Sequence, residues 1–369
     1  MKIDRGVKPD EIKEAAEQIK TLSERRQEPE ETPVEFLHSS SILLNLAGSG
    51  KGRKGGWARG RIINLVGDGS SGKTLLALEL AAYVYHKMMG NKSHNFPVVK
   101  KIKIVYDNAE GVMDFPIEKM YGKAFVDSVE WLSSPTVQSW GRNVTRGVMA
   151  NKPGELLLYI TDSLDALTSQ EGQERFEEAA KKDKAEDGTY GTEKAAYLSK
   201  SFFNNMCSII SGKDVTLVII SQIRSKIGVT FGEKYNRAGG KSLDFYTHQV
   251  CWLSEVEKLK KTFRGEERVY GIRVLAKFKR NKVAKPFREA ELIILFDYGV
   301  DCVGSSIAYL WGPKVKAIDW NNTEYSREGM IKHIEENNLQ DELAEKVETW
   351  WDEIEDNLKP DRIKKYGGE

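Results

Sequence analysis

The amino-acid sequence predicts an α/β fold whose central sheet is mostly parallel and is extended by antiparallel strands. Four short β-rich runs alternate with stretches of helical pattern, at residues 61–66, 102–106, 156–161 and 215–220. Apolar strands separated by helices are typical of a parallel sheet that is covered on both faces. Three later runs follow one another without helices, at residues 249–256, 268–279 and 289–296. The turn at 263–266 predicts that they form an antiparallel extension of the same sheet.

Two further regions flank these strands and divide the chain into three predicted parts. Residues 9–27 show the apolar spacing of a single amphipathic helix, and a proline-containing linker follows it. From Ser326 onward apolar residues again recur at helical spacing. The predicted parts are an N-terminal helical arm and linker at 1–33, the core at 34–312 and a small C-terminal helical lobe at 313–369. The apolar stripe of the arm must be buried, either on its own core or on another subunit.

Composition excludes several classes of protein. The chain has 369 residues, and its 56 Lys and Arg nearly balance its 55 Asp and Glu, so any contact with nucleic acid must come from local patches. Three cysteines, Cys207, Cys251 and Cys302, form no CxxC or Cys/His cluster, which argues against a disulfide framework and against a structural zinc site. We find no signal peptide and no apolar run of about 18 residues. These observations predict a cytoplasmic protein that does not bind a membrane.

The segment 67–74 carries the most informative functional pattern. It matches G-x-x-x-x-G-K-[ST] at every fixed position, follows an apolar run and opens a helical pattern. Its residues are Gly67, Asp68, Gly69, Ser70, Ser71, Gly72, Lys73 and Thr74. Between a strand and a helix, the backbone N–H groups of such a loop hold phosphate oxygens, the lysine reaches the outer phosphates and the threonine hydroxyl holds Mg²⁺. The sequence therefore predicts a nucleotide-binding protein, and a Gly/Ser turn with an exposed lysine is the alternative.

Carboxylates follow two of the predicted strands at the point where each strand ends. Asp162 directly follows the run 156–161 and is placed to support Mg²⁺, although an aspartate there could also cap a helix. The run 102–106 is followed by Asp107 and then by Glu110. Because the ends of parallel strands meet in one crevice, Glu110 is expected to reach the γ-phosphate side and to deprotonate a water molecule. Asp107 competes for that role, and a solvated acidic loop is the alternative.

A glutamine and a basic, glycine-containing loop follow the run 215–220. Gln222 can hydrogen-bond a phosphate oxygen or a water molecule but cannot act as a base, which suits a sensor of nucleotide state. The loop contains basic, apolar and glycine residues, among them Arg224, Lys226, Ile227, Phe231, Gly239 and Gly240. Such a surface suits single-stranded nucleic acid, because cations pair with phosphates and apolar side chains contact bases. By composition alone, an ordinary solvated loop explains it better.

Taken together, these residues resemble the RecA family of homologous-recombination ATPases. The resemblance covers residues 34–312 and includes the phosphate loop, the pair Asp162-Ser163 and the glutamine-led segment 222–232. The segments 239–246 and 279–291 complete it. It implies a RecA-like P-loop NTPase core that binds ATP and Mg²⁺, forms a helical filament on single-stranded DNA, and pairs that strand with homologous duplex DNA. ATP would lie between neighbouring subunits, and its hydrolysis would depend on DNA. Single-strand-binding or loader proteins are further partners that it allows.

The resemblance also implies roles for individual residues. Phosphate and Mg²⁺ binding would fall to Lys73, Thr74 and Asp162, with Glu110 as general base and Gln222 as sensor. Arg280 and Lys282 resemble the two cations that reach the ATP of a neighbouring subunit, and Asp114 and Phe296 resemble the contacts to adenine. DNA binding would fall to the residues of the loop after Gln222 that are named above. Residues 168–192 resemble an enlarged first DNA loop, and the helix at 9–27 resembles the arm that docks on an adjacent subunit.

Some features depart from the bacterial pattern and leave alternatives open. Glu110 lies one residue further from Asp107 than in bacterial RecA, so either carboxylate remains a candidate base. Residue 280 is Arg where bacterial RecA has Lys, which keeps the charge and changes the geometry. A ring-forming helicase or DNA motor on the same core is the alternative function, and the Arg280-Asn281-Lys282 strand argues against it. A nucleotide-gated DNA scaffold without turnover is a third reading, and Glu110 argues against that.

Overall fold

The computed structural model describes residues 34–88, 99–111, 113, 116–182, 191–225, 235–237 and 240–362. The chain divides into two units, Met1–Val34 and Glu35–Glu369, and the elements described below belong to the second. The arm helix predicted at 9–27 lies outside the described residues. So do several predicted site residues, namely Asp114, Lys226, Ile227, Phe231 and Gly239. The three predicted parts of the chain and their boundaries stay predictions.

The described residues form fourteen strands. They are β1 Phe36–Leu37, β2 Trp57–Ala58, β3 Ile62–Gly67, β4 Lys101–Asn108, β5 Val129–Leu132, β6 Glu155–Asp162, β7 Val215–Ser225, β8 Tyr235–Arg237, β9 Gln249–Phe263, β10 Glu266–Asn281, β11 Glu289–Leu295, β12 Gly299–Asp301, β13 Ile318–Trp320 and β14 Thr323–Tyr325. Each predicted run coincides with a strand. The longest differences are in β7 and β9, which continue to Ser225 and Phe263, several residues beyond the predicted ends.

Twelve helices accompany these strands in the described part of the chain. They are α1 Ile42–Ser49, α2 Lys73–Tyr83, α3 Ile117–Tyr121, α4 Lys123–Ser128, α5 Val137–Ala150, α6 Gln170–Lys181, α7 Gly191–Ala196, α8 Phe203–Gly212, α9 Gly240–Tyr246, α10 Cys302–Trp311, α11 Arg327–Glu336 and α12 Gln340–Asn357. π-helical turns at Val84–Met88 and Tyr197–Phe202 continue α2 and join α7 to α8.

One large sheet organises the core. Its strand order is β12-β11-β10-β9-β3-β7-β6-β4-β5, and β8 pairs with β7 off this path. The strands from β9 to β5 are mutually parallel, whereas β10, β11 and β12 are antiparallel to their neighbours. The predicted mostly parallel sheet with an antiparallel extension is thereby confirmed. The tight turn between β9 and β10 uses Arg264 and Gly265, whose φ angles of 51° and 81° are those of a hairpin turn.

Side chains of the central strands alternate between two hydrophobic cores, one on each face of the sheet. In β6, Leu156, Leu158 and Ile160 belong to the larger core. Leu157 and Tyr159 belong to the second core. Both faces of the parallel strands are therefore buried, which explains why these runs are apolar without interruption.

A third, smaller core lies toward the C-terminus. It consists of Val303, Ile307, Ile318, Trp320, Met330, Ile334 and Leu343. The helices predicted from Ser326 onward are present as α11 and α12, and the structure adds the two-stranded sheet β13–β14. Helix α12 also contributes Val347 and Trp351 to the large core. The ion pair of Arg288 with Glu355, at 2.7 Å, joins the same helix to the segment before β11.

One predicted loop is largely helical. The resemblance implied an enlarged first DNA loop at 168–192, and α6 occupies 170–181 of that range. Ser169 caps α6 by accepting a hydrogen bond from the backbone N–H of Gly172 at 3.0 Å. Glu171 in the first turn and Lys181 in the last turn match the helix dipole. These capping and charge signals were present in the sequence and predict the helix better than the resemblance did.

Candidate nucleotide site

The phosphate loop, residues 67–74, joins the end of β3 to the start of α2. Gly72 has a φ of 85°, a left-handed conformation that favours glycine. A Cβ atom at Gly67 would lie 2.6 Å from the carbonyl oxygen of Leu253, and one at Gly72 would lie 2.6 Å from Cδ1 of Ile294. Gly67 is therefore required by a close backbone neighbour, and Gly72 by its left-handed backbone conformation. Asp68, Gly69 and Ser70 at the crest of the loop are exposed. The backbone N–H of Gly69 donates to Oδ1 of Asp68 at 2.8 Å, and the N-terminus of α2 behind the crest favours an anion.

Lys73 lies inside this loop rather than in solvent. Its Nζ donates hydrogen bonds to the carbonyl oxygen of Asp68 at 2.5 Å and to Oγ of Ser71 at 3.4 Å. Burial lowers the pKa of Lys73 below its usual value, and the nearby carboxylates, that of Asp162 above all, oppose this change. A buried ammonium held in a loop at a helix N-terminus is suited to pair with phosphate, and the exposed-lysine alternative does not fit it.

Thr74 and Asp162 meet across the site. The Thr74 hydroxyl donates to Oδ2 of Asp162 at 2.7 Å, and the hydroxyl of Tyr106 donates to the same oxygen at 2.7 Å. Asp162 is buried, and that burial raises the pKa of its carboxyl group. Its side chain does not cap a helix among the described residues. The carboxylate of Asp162 ends β6 beside the phosphate loop, which is where the sequence predicted it.

These two side chains fit a magnesium ion. Mg²⁺ is commonly held by one or two protein oxygens together with substrate phosphates and water. Within the described ranges no cluster of three or more His, Cys, Asp or Glu side chains is arranged to hold a metal. A dedicated protein cage is thus not found there, whereas one hydroxyl and one carboxylate next to a phosphate loop match the usual magnesium–nucleotide arrangement.

Glu110 lies two residues after β4 and contacts the residue that follows β6 and a residue of β7. Its Oε1 accepts hydrogen bonds from the hydroxyl of Ser163 at 2.6 Å and from Nε2 of Gln222 at 3.1 Å. The backbone N–H of Gln222 in turn donates to Oδ2 of Asp165 at 2.7 Å. The carboxyl ends of β4, β6 and β7 therefore converge, as the parallel order predicted. Gln222 itself lies within β7, which continues to Ser225, and not at a strand tip.

Asp107 is placed quite differently from Glu110. It is completely buried, and Oδ1 accepts from the backbone N–H of Ser134 at 2.8 Å. Its Oδ2 accepts from the Ser134 hydroxyl at 2.7 Å and from the hydroxyl of Tyr159 at 2.6 Å. Three donors inside the core satisfy this carboxylate. Asp107 thus ties β4 to the segment after β5 and does not face the phosphate loop.

Arg280 and Lys282 lie away from the phosphate loop of their own chain. Arg280 of β10 is paired with Val250 of β9, and Val250 is paired with Asn64 of β3. The phosphate loop begins at Gly67, three residues further along β3. Three residues of a strand span about 10 Å, and β9 lies between the two strands. Lys282 follows β10, and its Nζ donates to the carbonyl oxygen of Phe245 at 2.6 Å. Burial and the adjacent Arg280 lower the pKa of Lys282.

Phe296 follows β11 at the same end of the sheet as the phosphate loop. Ile294, two residues earlier, approaches Gly72 closely. The ring of Phe296 is 52% exposed, and its backbone N–H donates to the carbonyl oxygen of Tyr270 at 3.0 Å. The contact of Phe296 with adenine that the resemblance implied stays a prediction. Its predicted companion Asp114 lies outside the described residues.

The predicted DNA loop is only partly described. Arg224 lies in β7 opposite Asn236 of β8, so this strand pair extends the sheet beyond Gln222. Gly240 begins α9. The remaining predicted DNA contacts fall in the ranges that the structure does not describe.

Sequence reasoning missed three side chains of the site. Tyr106, Ser163 and Asp165 hold Asp162, Glu110 and the backbone of Gln222, respectively. Asp165 lies three residues after Asp162. A second carboxylate so close to the end of this strand was a signal in the sequence that could have identified Asp165 as a site residue. Tyr106 and Ser163 resemble ordinary strand and loop residues, so only the pairing of β4 with β6 shows their neighbours.

Fold and site together define a nucleotide-binding α/β protein of the phosphate-loop class. A family model described as the RecA N-terminal domain matches residues 12–301. Protein RecA of Borrelia turicatae is 30% identical over 340 residues, which cover 89% of this chain and 83% of that protein. Protein RecA of Treponema denticola is 29% identical over 340 residues, 89% of this chain and 72% of that protein. For Borrelia duttonii the identity is 29% over 329 residues, 86% and 82% of the two chains.

The chain belongs to the RecA family. It is accordingly a DNA-dependent ATPase of DNA recombination and repair that binds nucleotide and DNA, forms filaments and catalyses ATP-dependent strand exchange. The predicted family, fold class and function are confirmed, and the family favours the recombinase over the ring helicase. Among the described helices, none is both long and apolar enough to cross a membrane.

Proposed function

We propose that this recombinase binds ATP with Mg²⁺ at residues 67–74, Thr74 and Asp162, and that Glu110 activates the attacking water. The contact that carries this proposal is the hydrogen bond of Gln222 to Glu110 at 3.1 Å, together with the hydroxyl of Ser163 on the same oxygen. Both donors hold Glu110 at the crevice formed by β4, β6 and β7. The other candidate, Asp107, is satisfied by three donors in the core.

In this mechanism each residue of the chain has a separate task. The loop N–H groups and Lys73 hold phosphate oxygens and favour the charge that develops on them. Thr74 and Asp162 place Mg²⁺, which neutralises phosphate charge when it is bound. Glu110 accepts the proton of a water molecule, and a carboxylate in hydrogen-bond reach is suited to that step. Gln222 cannot accept a proton in this way and instead orients Glu110.

Gln222 also links hydrolysis to DNA. It lies in β7, and the same strand continues through Arg224 into the predicted DNA loop. A movement of that loop on single-stranded DNA would shift Gln222 relative to Glu110. The proposed DNA contacts are Arg224, Lys226, Ile227, Phe231, Gly239 and Gly240. Homologous duplex DNA would be paired with the strand that they hold.

The cations Arg280 and Lys282 are proposed to act on the ATP of a neighbouring subunit. Arg280 is level with a residue of β3 that lies three residues before the phosphate loop of the same chain. The two cations are therefore poorly placed to contact a nucleotide bound at that loop. In a head-to-tail filament one subunit can present such residues to the next. Cations supplied in trans stabilise the charge of the transferring phosphoryl group.

The proposal is tested by electron microscopy and a strand-exchange assay. Wild-type protein with single-stranded DNA and a non-hydrolysable ATP analogue should give helical filaments, and with ATP it should form joint molecules only when the duplex is homologous. A heterologous duplex of equal length is the control. Closed rings in the micrographs, together with unwinding of the duplex in place of pairing, would contradict the proposal and favour a ring helicase.

A further inference from the structure

A short turn connects β6 to α6 and lies next to the proposed catalytic residues. We call residues 163–168 the β6 turn. Its first residue, Ser163, donates to Glu110 at 2.6 Å, and its Asp165 accepts from the backbone N–H of Gln222 at 2.7 Å. The backbone N–H of Leu164 donates to the carbonyl oxygen of Ile220 at 2.9 Å. The position of this turn therefore sets the positions of both Glu110 and Gln222.

One lysine holds the β6 turn from outside the strands. Lys194, in α7, donates from Nζ to the carbonyl oxygens of Leu164, Leu167 and Asp165, with distances of 2.8 Å for Leu167 and 3.4 Å for Asp165. An ammonium group can donate more than one hydrogen bond, and this one contacts three carbonyl oxygens of a single turn. A half-buried lysine with this contact set is not a solvated surface charge.

Glu193, the residue before Lys194, connects helices α6 and α7 next to the β6 turn. The carboxylate of Glu193 accepts from the hydroxyl of Ser169, at the N-cap of α6, at 2.7 Å. It also accepts two hydrogen bonds from the guanidinium of Arg175, at 2.9 and 2.8 Å. Two successive residues of α7 thus join the pair of helices α6 and α7 to both ends of the β6 turn.

We propose that Lys194 is a positioning residue for ATP hydrolysis: it fixes the β6 turn, and through it Glu110 and Gln222, only while helices α6 and α7 are docked. This inference rests on the proposed function of Glu110 and Gln222. No part of it requires Lys194 to contact nucleotide. Docking of α6 and α7 then controls the rate of hydrolysis, and a ligand that moves these helices changes turnover without changing the nucleotide pocket.

The expected size of the effect follows from the geometry. Without the ammonium, three turn carbonyls lose their donor, and the turn can shift relative to β7. A displacement of about 1 Å at a catalytic group can lower the rate by about 100-fold. Nucleotide affinity should not change, because the phosphate loop and Asp162 make none of these contacts. A loss confined to kcat is the signature of a group positioned for the transition state.

The test compares Lys194→Met with Lys200→Met, a matched control at an exposed lysine in the following helical turn. Steady-state ATP hydrolysis is measured with single-stranded DNA, and amide hydrogen exchange is measured over residues 163–168. Lys194→Met should lower kcat at least about 10-fold with KM for ATP within about twofold of wild type. Exchange at the amide of Leu164 should become faster. Lys200→Met should behave as wild type in both measurements.

Two further variants keep the test decisive. If Lys194→Met does not fold, Lys194→Gln retains part of the donor set and should show a smaller loss of kcat in the same direction. Wild-type kcat and unchanged exchange in either folded variant would overturn the proposal for Lys194. Failure of the underlying function looks different, because Glu110→Gln would then hydrolyse ATP at the wild-type rate. Loss of activity in Glu110→Gln with full activity in Lys194→Met would overturn the inference alone.

Discussion

The side-chain amide of Gln222 donates a hydrogen bond to Oε1 of Glu110 at 3.1 Å, across 112 residues of sequence. This contact joins the segment directly after β4 to a residue within β7, with β6 between the two strands in the sheet. It brings the proposed base of the reaction into contact with the strand that leads to the proposed DNA loop. Several consequences of this arrangement can be measured.

Glu110→Gln should abolish ATP hydrolysis and leave nucleotide binding intact. The substitution keeps the size of the side chain and an oxygen that can accept from Ser163, but it removes the group that takes the proton. Loss of a general base lowers the rate by about 100-fold or more. Single-turnover hydrolysis and binding of a fluorescent ATP analogue are the measurements. Wild-type turnover in this variant would remove Glu110 from the role of base.

Gln222→Met should uncouple hydrolysis from DNA. Methionine has a similar length but cannot donate to Glu110, so movement of β7 no longer reaches the carboxylate. We expect nucleotide binding to persist and the ratio of ATPase rates with and without single-stranded DNA to fall toward one. Gln222→Asn, which keeps the amide on a shorter side chain, is the comparison. Full stimulation by DNA in Gln222→Met would show that the sensor lies elsewhere.

Asp107→Ala should destabilise the protein. Its carboxylate accepts from the backbone N–H and hydroxyl of Ser134 and from the hydroxyl of Tyr159, and all three donors would be left buried without an acceptor. Such losses cost about 1–3 kcal/mol for each unsatisfied group. Urea denaturation measures the free energy of unfolding. Asp127→Ala, at an exposed position, should change it by at most about 0.5 kcal/mol. Equal stability of the two variants would refute the structural role of Asp107.

Asp162→Asn should stabilise the nucleotide-free protein at neutral pH. Both donors, Thr74 and Tyr106, contact the same oxygen, so the amide oxygen of Asn can replace it while the buried charge is removed. Burial raises the pKa of Asp162 in the folded state. The folded protein therefore binds the proton more tightly than the unfolded chain, and the carboxylate destabilises the fold once the pH exceeds that raised pKa.

The advantage of Asn over Asp in the free energy of unfolding should be largest at pH 7. It should shrink as the pH falls toward the ordinary pKa of aspartate, about 3.9. Urea denaturation at several pH values measures this difference. An advantage that grows on acidification would contradict the assigned cause. The same variant should lose the increase in melting temperature that ATP and Mg²⁺ give to the wild type.

Much of the core could be predicted from the sequence, because its signals are local. The phosphate loop lies between an uninterrupted apolar strand and a helix, and each central strand is apolar because both of its faces are buried. Asp162 and Glu110 follow runs that were predicted to be parallel strands, and the ends of parallel strands converge, which predicted that the two carboxylates lie close together. Here local pattern and tertiary packing favour the same structure.

Other features depend on contacts between distant segments and could not be predicted. The burial of Asp107 depends on Ser134 and Tyr159, and no local pattern distinguishes it from Glu110. The contacts of Lys194 with the β6 turn span about 30 residues. The helix at 170–181 was missed for a different reason. The segment was interpreted from its resemblance to a DNA loop, although a capping serine and a favourable order of charges were visible in the sequence.

The central claim is that each ATP is held by the phosphate loop of one subunit and completed by cations of the next. Lys73→Ala should be nearly inactive alone, because it removes the cation of the phosphate loop that holds the outer phosphates. Arg280→Ala should also be nearly inactive, because removal of a cation supplied in trans lowers turnover by about 1000-fold or more. In a one-to-one mixture, about a quarter of the interfaces join an intact Lys73 to an intact Arg280. The mixture should therefore recover roughly a quarter of the wild-type DNA-dependent ATPase activity. No recovery, in filaments shown to contain both variants, would contradict the claim.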